Sequence, residues 1–257
     1  MVTVNTEELE TKVKAMYRQV AEQPGGQYHF ELGRPLAERL GYPADLLDRI
    51  PAQAIESFAG VGYFADLADL RPAERVLDLG SGSGTDSFVA AVLVGPSGQV
   101  VGIDFTAEQL AKARRLATEA GLAHVEFRGG HIEALPGVDD ESVDCVISNG
   151  VINLAPDKDR VFAEAARVLR PGGRLAIADI VTEKRLTDAI VGNADLWASC
   201  IGGAAQRDAY RTAISGAGLR VERERPNSYH FNSEQARGAS ASYGVRSISV
   251  LAVKPVR

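Results

Sequence analysis

The chain reads as a single α/β domain, a doubly wound, mostly parallel sheet of seven strands carrying an N-terminal helical cap. Three observations predict it. From residue 75 onward, short runs rich in Val and Ile alternate with segments of helical period, the pattern of βαβ units. A glycine-rich loop, "GSGSG", follows the first such run and opens a helix. The first 70 residues hold helical segments and no strand-like run. With 257 residues, 45% of them hydrophobic, the chain can bury one full core and is short enough to need no second.

In chain order, "TEELETKVKAMYRQVAEQ" has helical period, "ELGRPLAERLGY" is a helix ended by glycine, and "PADLLDRIP" is a short helix bounded by prolines. These make residues 1–70 the cap. The first strand is "RVLDLG", the helix "DSFVAAVLVG" follows its loop, and "QVVGIDF" is the second strand. In "TAEQLAKARRLATEAG", Thr106 and Gln109 stand at capping-box spacing, Leu110, Ala113 and Leu116 keep one apolar face, and Gly121 suits the C-terminal cap. "HVEFR" and "VDCVIS" are the third and fourth strands. "PDKDRVFAEAARVL" is a helix with Pro156 near its first turn, and "RPGG" is a turn into the fifth strand, "GRLAIADIV". The last two strands, "LRVERER" and "RSISVLAVK", are separated by about 20 residues without strong helical period, so they are expected as an antiparallel pair with a long connection. No internal repeat or low-complexity tract interrupts the pattern.

Composition excludes several classes of function. A formal net charge of -6 with mixed signs gives no broad basic surface for nucleic acid. No apolar run approaches the ~18 residues of a membrane span, and "MVTVNTEELETK" lacks the basic-then-apolar order of a signal peptide, so a cytoplasmic location is expected. Two cysteines, Cys145 and Cys200, are too few for a disulfide scaffold or an all-thiolate zinc site, and no metal site is expected. A homodimer is compatible with the sequence.

The glycine loop carries the chemistry. In "VLDLGSGSGTDSF", Gly80, Gly82 and Gly84 let the chain turn tightly and bring Ser81 and the backbone amides close to a ligand at a helix start. The dinucleotide fingerprint fails, because its third glycine falls on Thr85 or, in the alternative frame, on Ser87. Asp78, on the last turn of the strand, would repel a pyrophosphate and attract a cation. S-adenosylmethionine carries a sulfonium and an ammonium. Asp104 ends the second strand, where a carboxylate can accept both ribose hydroxyls of such a cofactor. "GGHIEALP" after the third strand and "SNGV" after the fourth bring further loops to the same crevice.

In these motifs the chain resembles the class I S-adenosylmethionine-dependent methyltransferases. The resemblance is carried by "LDLGSGSGTD", "GIDFTAEQLAKAR", "GGHIEALP" and "EAARVLRPGGRLAIADI", roughly residues 70 to 182. Within that superfamily, "ISNGVINLAPDKDRVFAEAARVLRPGGRLAIADIV" and "SCIGGA" look most like the arsenite methyltransferase branch and its ubiquinone/menaquinone-type relatives. The resemblance implies a Rossmann-like sheet of order 3-2-1-4-5-7-6 with the last strand antiparallel. It implies one domain over 1–257, with 71–182 as the cofactor-binding core and 183–257 as an acceptor-side segment and strand pair. It implies cofactor contacts at Asp78, Gly80, Asp104, Phe105, His131, Ile132 and Asn149, with Ser81, Gly82, Gly84, Gln109 and Gly150 completing the set and Tyr17 closing over it. The acceptor it implies is a small molecule.

The resemblance breaks at the cysteines. The arsenite branch holds its soft acceptor with several thiolates, and the equivalent positions here read Gly150, Cys200 and, in a looser alignment, Val61. Gly150 is therefore expected to leave the acceptor side open. Cys145 lies within a strand and is expected to pack into the sheet. Cys200 either lines the acceptor pocket or is a small buried helix residue near Trp197. His29 in "YHF" of the cap and His230 in "YHF" of the long connection are candidate acceptor-site bases, or parts of a packed lid. The candidate catalytic residues are thus His29, Cys200 and His230. Three alternatives to small-molecule methylation stay open: metalloid methylation with a reduced cysteine set, a non-methylating enzyme on the same cofactor, and a regulatory cofactor-binding protein.

Overall fold

The computed structural model describes residues 5–198, 200–232 and 234–256; readings placed on residues 1–4, 199, 233 and 257 lie outside the described residues. The cap runs through α1 (Thr6–Glu22), α2 (Arg34–Leu40), α3 (Ala44–Leu47), α4 (Ala52–Glu56) and α5 (Ala65–Ala68). Asn5 caps α1 by accepting the Glu8 amide, and Gly41 ends α2 in the left-handed conformation. Next come β1 (Arg75–Leu79), α6 (Thr85–Val94), β2 (Gln99–Asp104), α7 (Ala107–Glu119), β3 (Val125–Gly129) and β4 (Val143–Asn149). A 3-10 turn (Ile152–Leu154) leads to α8 (Lys158–Val168) and β5 (Leu169–Thr182). The chain ends with α9 (Asp188–Val191), α10 (Ala194–Ala198), β6 (Ala205–Gln206), α11 (Arg207–Gly216), β7 (Arg220–Pro226), α12 (Glu234–Tyr243) and β8 (Arg246–Val253).

The sheet order is β3-β2-β1-β4-β5-β8-β7, with the two-residue β6 beside β5. The pairs β5·β8 and β8·β7 are antiparallel and the others parallel. Setting β6 aside, this is the expected order 3-2-1-4-5-7-6, with the last strand antiparallel to its neighbours. Strand alternation sorts the side chains to two faces. Val76, Cys145, Ile147, Ala176 and Ala178 share a core with Leu9, Val13, Leu36, Phe58 and Val61 of the cap. Leu77, Leu79, Val146, Leu175 and Ile177 pack on the other face with Val161, Phe162, Tyr210 and Ile214. The cap thus has no core of its own and closes over the sheet.

Three local expectations are corrected. The capping box at Thr106 is absent: Thr106 makes no side-chain cap bond, and its amide donates instead to Asp104 Oδ1 at 2.7 Å. The "RPGG" segment belongs to β5, which starts at Leu169 directly after α8. The long connection contains a helix, α12, whose small, polar composition, interrupted by Gly238, gave almost no apolar period to read.

Candidate active site

The carboxyl ends of β1, β2 and β4 open onto one crevice with two lobes. The first is lined by the glycine loop, Asp78, Asp86, Gln109 and Asn149; the second by His131, Ile132, Glu133 and Pro156. Val13, Gly80, Asp104, Phe105, Val151 and Leu154 line both, so the lobes are continuous and Asp104 stands at their junction. Helix α1 covers them, with Val13 and Tyr17 over the first lobe and Leu9, Glu10 and Val13 over the second.

Gly80 shows why the loop needs glycine. Its φ is +74°, and a Cβ there would lie 2.4 Å from the Val151 side chain. Four of the loop's amides are spent internally: Gly80 and Ser81 donate to Ile103 O, Gly82 to Asp104 Oδ2, and Gly84 to Ser81 O. The loop offers the crevice a close approach and the Ser81 hydroxyl. Ser81 Oγ is buried with no hydrogen-bond partner. Gly84 lies beneath the loop, against Phe88 and Phe127, outside both linings.

Three carboxylates give the crevice an acidic lining. Asp78 is only 2% exposed and accepts a bond from Ser87 Oγ at 2.6 Å. Burial, and then the neighbouring Asp86 charge, push its carboxyl up to about 8. Asp86 is raised to about 6 by burial, offset by hydrogen bonds from Tyr42 and Asn149. Burial also raises Asp104, against the backbone amides of Thr106 and Gly82. Isolated buried carboxylates are costly, and a bound cation would relieve that cost.

The other expected residues fall into two groups. Phe105 and His131 stack with ring centroids 5.5 Å apart at 4°, and Ile132 is buried beside them in the second lobe. Gln109 is a strut: its Oε1 accepts from Ser83 Oγ and its Nε2 donates to Tyr17 O at 2.8 Å, tying loop to α1. Asn149 lines the first lobe, and its amide is a second strut. Nδ2 donates to Tyr42 Oη, Gly62 O and Asp86 Oδ2, each at 3.0 Å, while Oδ1 accepts from the Val61 amide at 2.8 Å. Gly150, with φ +72°, lies outside both linings, and the space expected beside it is filled: a Cβ there would stand 3.2 Å from Val61 Cγ1.

The candidate catalytic residues do not line the crevice. Cys200 is buried behind it, its thiol beside the Tyr17 hydroxyl and the Asn153 side chain, and burial pushes the thiol up to about 12. His29 packs edge-on against Phe30 at 4.6 Å. His230 is exposed, while its neighbour Tyr229 turns inward toward Cys200. Cys145 is fully buried in β4, as expected. Sequence reasoning missed Asp86, although a second carboxylate in "GTDSF" was a readable signal, and it missed the buried set Asn153, Lys158, Asp179 and Tyr210, which no local motif marks. Among the described residues no three His, Cys, Asp or Glu side chains converge as metal ligands, and no helix is long and apolar enough to cross a membrane.

A methyltransferase domain profile matches residues 70–218. An arsenic(III) S-adenosylmethionine methyltransferase from Chlamydomonas reinhardtii superposes with TM-score 0.64 at 31% identity, covering 87% of this chain and 74% of that one. The chain belongs to the class I S-adenosylmethionine-dependent methyltransferases. An arsenite methyltransferase of Halobacterium salinarum is 45% identical over 183 residues, 71% of this chain and 46% of that protein. The chain thus spans about half the length of the curated relatives it matches. A geranyl diphosphate C-methyltransferase from Streptomyces coelicolor A3(2) shares the fold at TM-score 0.66 and 16% identity, covering 96% of this chain and 97% of that one. The methyltransferase crevice fits the cofactor of its class: the Gly80 cradle admits no side chain, Ser81 Oγ is buried without a protein partner, and the Asp78 and Asp86 carboxylates of the first lobe, both raised by burial, suit a cationic group.

Proposed function

We propose that this chain transfers a methyl group from S-adenosylmethionine to a small-molecule acceptor bearing an oxygen, carbon or nitrogen nucleophile, by in-line displacement. The observation that supports it is the two-lobed crevice at the strand ends, with Asp78 and Asp86 in one lobe, Asp104 at the junction and Phe105, His131 and Ile132 in the other. When bound, the cofactor supplies a methyl group on a positively charged sulfur, and its transfer cancels that charge. In this reading Asp78 and Asp86 attract the cationic end, Asp104 accepts the ribose hydroxyls, and the aromatic lobe encloses the adenine. Helix α1, held down by Gln109, excludes water from the reacting line. Orientation supplies most of the rate, and no covalent enzyme intermediate is needed. Burial pushes the Cys200 thiol up to about 12, so it is neutral at cellular pH, and it stands behind the crevice lining rather than in it, which fits a packing role and not a base.

A second reading, a metalloid acceptor, is favoured by the arsenite methyltransferases among the relatives. Against it, Val61 and Gly150 meet where the branch carries thiolates, leaving Cys200 alone. We further infer a cytoplasmic protein, monomeric or homodimeric, with no nucleic-acid partner; the net charge of -6 supports the last point. The test is mass spectrometry of purified protein with S-adenosylmethionine and a panel of phenols, quinones, polyketide-like acceptors and arsenite. Methylation within the organic panel is expected. Arsenite turnover that survives Cys200→Ser would overturn the leading reading.

A further inference from the structure

The "SCIGGA" segment, which the crevice lining does not use, leads to a pair of side chains outside both lobes. Trp197 of α10, the chain's one tryptophan, is buried, and its indole Nε1 donates to Val191 O at 2.6 Å. Glycine is required beside it: a Cβ at Gly202 or Gly203 would strike the indole ring, and at Gly203 also the Asn153 carbonyl. Over the ring, 4.9 Å from its centroid, stands Lys158 Nζ. The same ammonium donates to Asn153 O at 3.2 Å and to Ala155 O at 2.9 Å.

Each side of this contact reaches the crevice. Leu154, between the two carbonyls, lines both lobes, and Ala155 lines the second. On the other side α10 packs against α1, the helix that covers both lobes. Lys158 thus joins a wall of the crevice to the support of its cover, and carbonyl oxygens and a ring face hold it there rather than a carboxylate. Desolvation brings its ammonium down to about 8, against the charges of Asp179 from β5, Glu133 from the β3–β4 connection and Asp157 from the start of α8. The charged form that the ring attracts is therefore present at lower pH and is lost as pH rises through about 8.

We propose that Lys158 is a positioning residue for the methyl-transfer site: its ammonium, seated between the Asn153 and Ala155 carbonyls and the Trp197 ring, holds the Leu154 wall and the α10-backed α1 cover together over the bound cofactor. This rests on the methyltransferase reading of the crevice. Lys158 touches neither cofactor nor acceptor; it acts through Leu154 and α1. Loss of its charge lets wall and cover part, and the cofactor escapes faster.

The test uses the full chain with S-adenosylhomocysteine as probe. Trp197 emission is followed from about pH 6 to about 10 in the parent and in Lys158→Met, and dissociation of isotope-labelled S-adenosylhomocysteine is timed over the same range. The parent emission is expected to change with one midpoint near 8, and Lys158→Met to lack that change. At about pH 7 the variant should release S-adenosylhomocysteine about five- to tenfold faster than the parent, and the two rates should converge above about pH 9. Asp78 titrates alike in both chains, so the ratio of the rates reports Lys158. A lysine that served stability alone would give a ratio that does not change with pH. No emission change in the parent, a change that survives in Lys158→Met, or a rate ratio that is one throughout or independent of pH overturns the proposal. The parent emission titration stands whether or not the variant folds. Failure of S-adenosylhomocysteine to bind the parent overturns the cofactor reading of the crevice, while the Trp197 titration still decides whether Lys158 is seated on the ring.

Discussion

Replacing Asp78 with asparagine should stabilise the ligand-free protein while destroying its affinity for the cofactor. Asp78 is 2% exposed, makes one side-chain hydrogen bond, from Ser87, and feels the Asp86 carboxylate. Its carboxyl is carried from an ordinary value of 3.8 to about 8. The folded chain therefore holds a proton that the unfolded chain has released, and stability falls as pH rises from about 4 to about 8. Each pH step in that window costs up to ~1.4 kcal/mol, so the penalty at pH 7.5 has an upper bound of ~5 kcal/mol. Asparagine keeps the shape and carries no charge, but it presents Ser87 with an amide in place of a carboxylate and gives back part of the gain. A net gain of ~1–2 kcal/mol is expected, which for a chain of this size raises the melting midpoint by roughly 2–8 °C. Differential scanning calorimetry of the ligand-free protein from pH 5 to 8 measures it. The gain should shrink toward pH 5, and titration with S-adenosylhomocysteine should no longer raise the midpoint of the variant. A variant less stable than the parent at pH 7.5, or a gain independent of pH, would refute the reasoning.

The same carboxylates make cofactor binding pH-dependent. The ammonium group of the ligand favours their ionised forms, so S-adenosylhomocysteine affinity should rise between about pH 6 and 8 and level off above, with proton release seen by calorimetry in two buffers. Asp104→Ala should weaken cofactor binding more than about tenfold, since a charged acceptor at the junction of the lobes is lost; unchanged affinity would place the ribose elsewhere. Gln109→Leu leaves the Tyr17 carbonyl and the Ser83 hydroxyl without their partner, at ~1–3 kcal/mol each. It should lower the melting midpoint and speed cofactor dissociation in stopped-flow fluorescence, because α1 loses its tie to the loop.

Much of this was legible because it is local. Strand, glycine loop and helix follow one another in "VLDLGSGSGTDSF", and parallel topology then brings Asp78 and Asp104 to one crevice without further information. Gln109 shows where local reading stops. Its spacing from Thr106 satisfies a capping box, but Ser83 and Tyr17 compete for the same amide from 26 and 92 positions away, and they win. Tertiary partners of that kind leave no trace in a window of four residues. Asp86 was legible in principle and overlooked. Asn153 was not, because its meaning depends on Asp179 and Lys158 reaching it from β5 and α8.

Gly150 joins these levels. In sequence it looked like a gap where the arsenite branch places a thiolate, and a gap suggests room. In the structure the room is taken by Val61, brought there by a cap segment that runs without a strand ladder and is pinned by side chains. Asn149 holds the Val61 and Gly62 amides, and Ser247 donates to the Val61 carbonyl at 2.6 Å. The two positions at which thiols would be sought are thus in contact, held rigidly, and both apolar. A soft acceptor finds no grip there, and the Gly150 carbonyl has been turned to another use, accepting from Asn153 Nδ2. The absence of thiols at residues 61 and 150 therefore leaves a wall closed by packing rather than a pocket enlarged on its acceptor side.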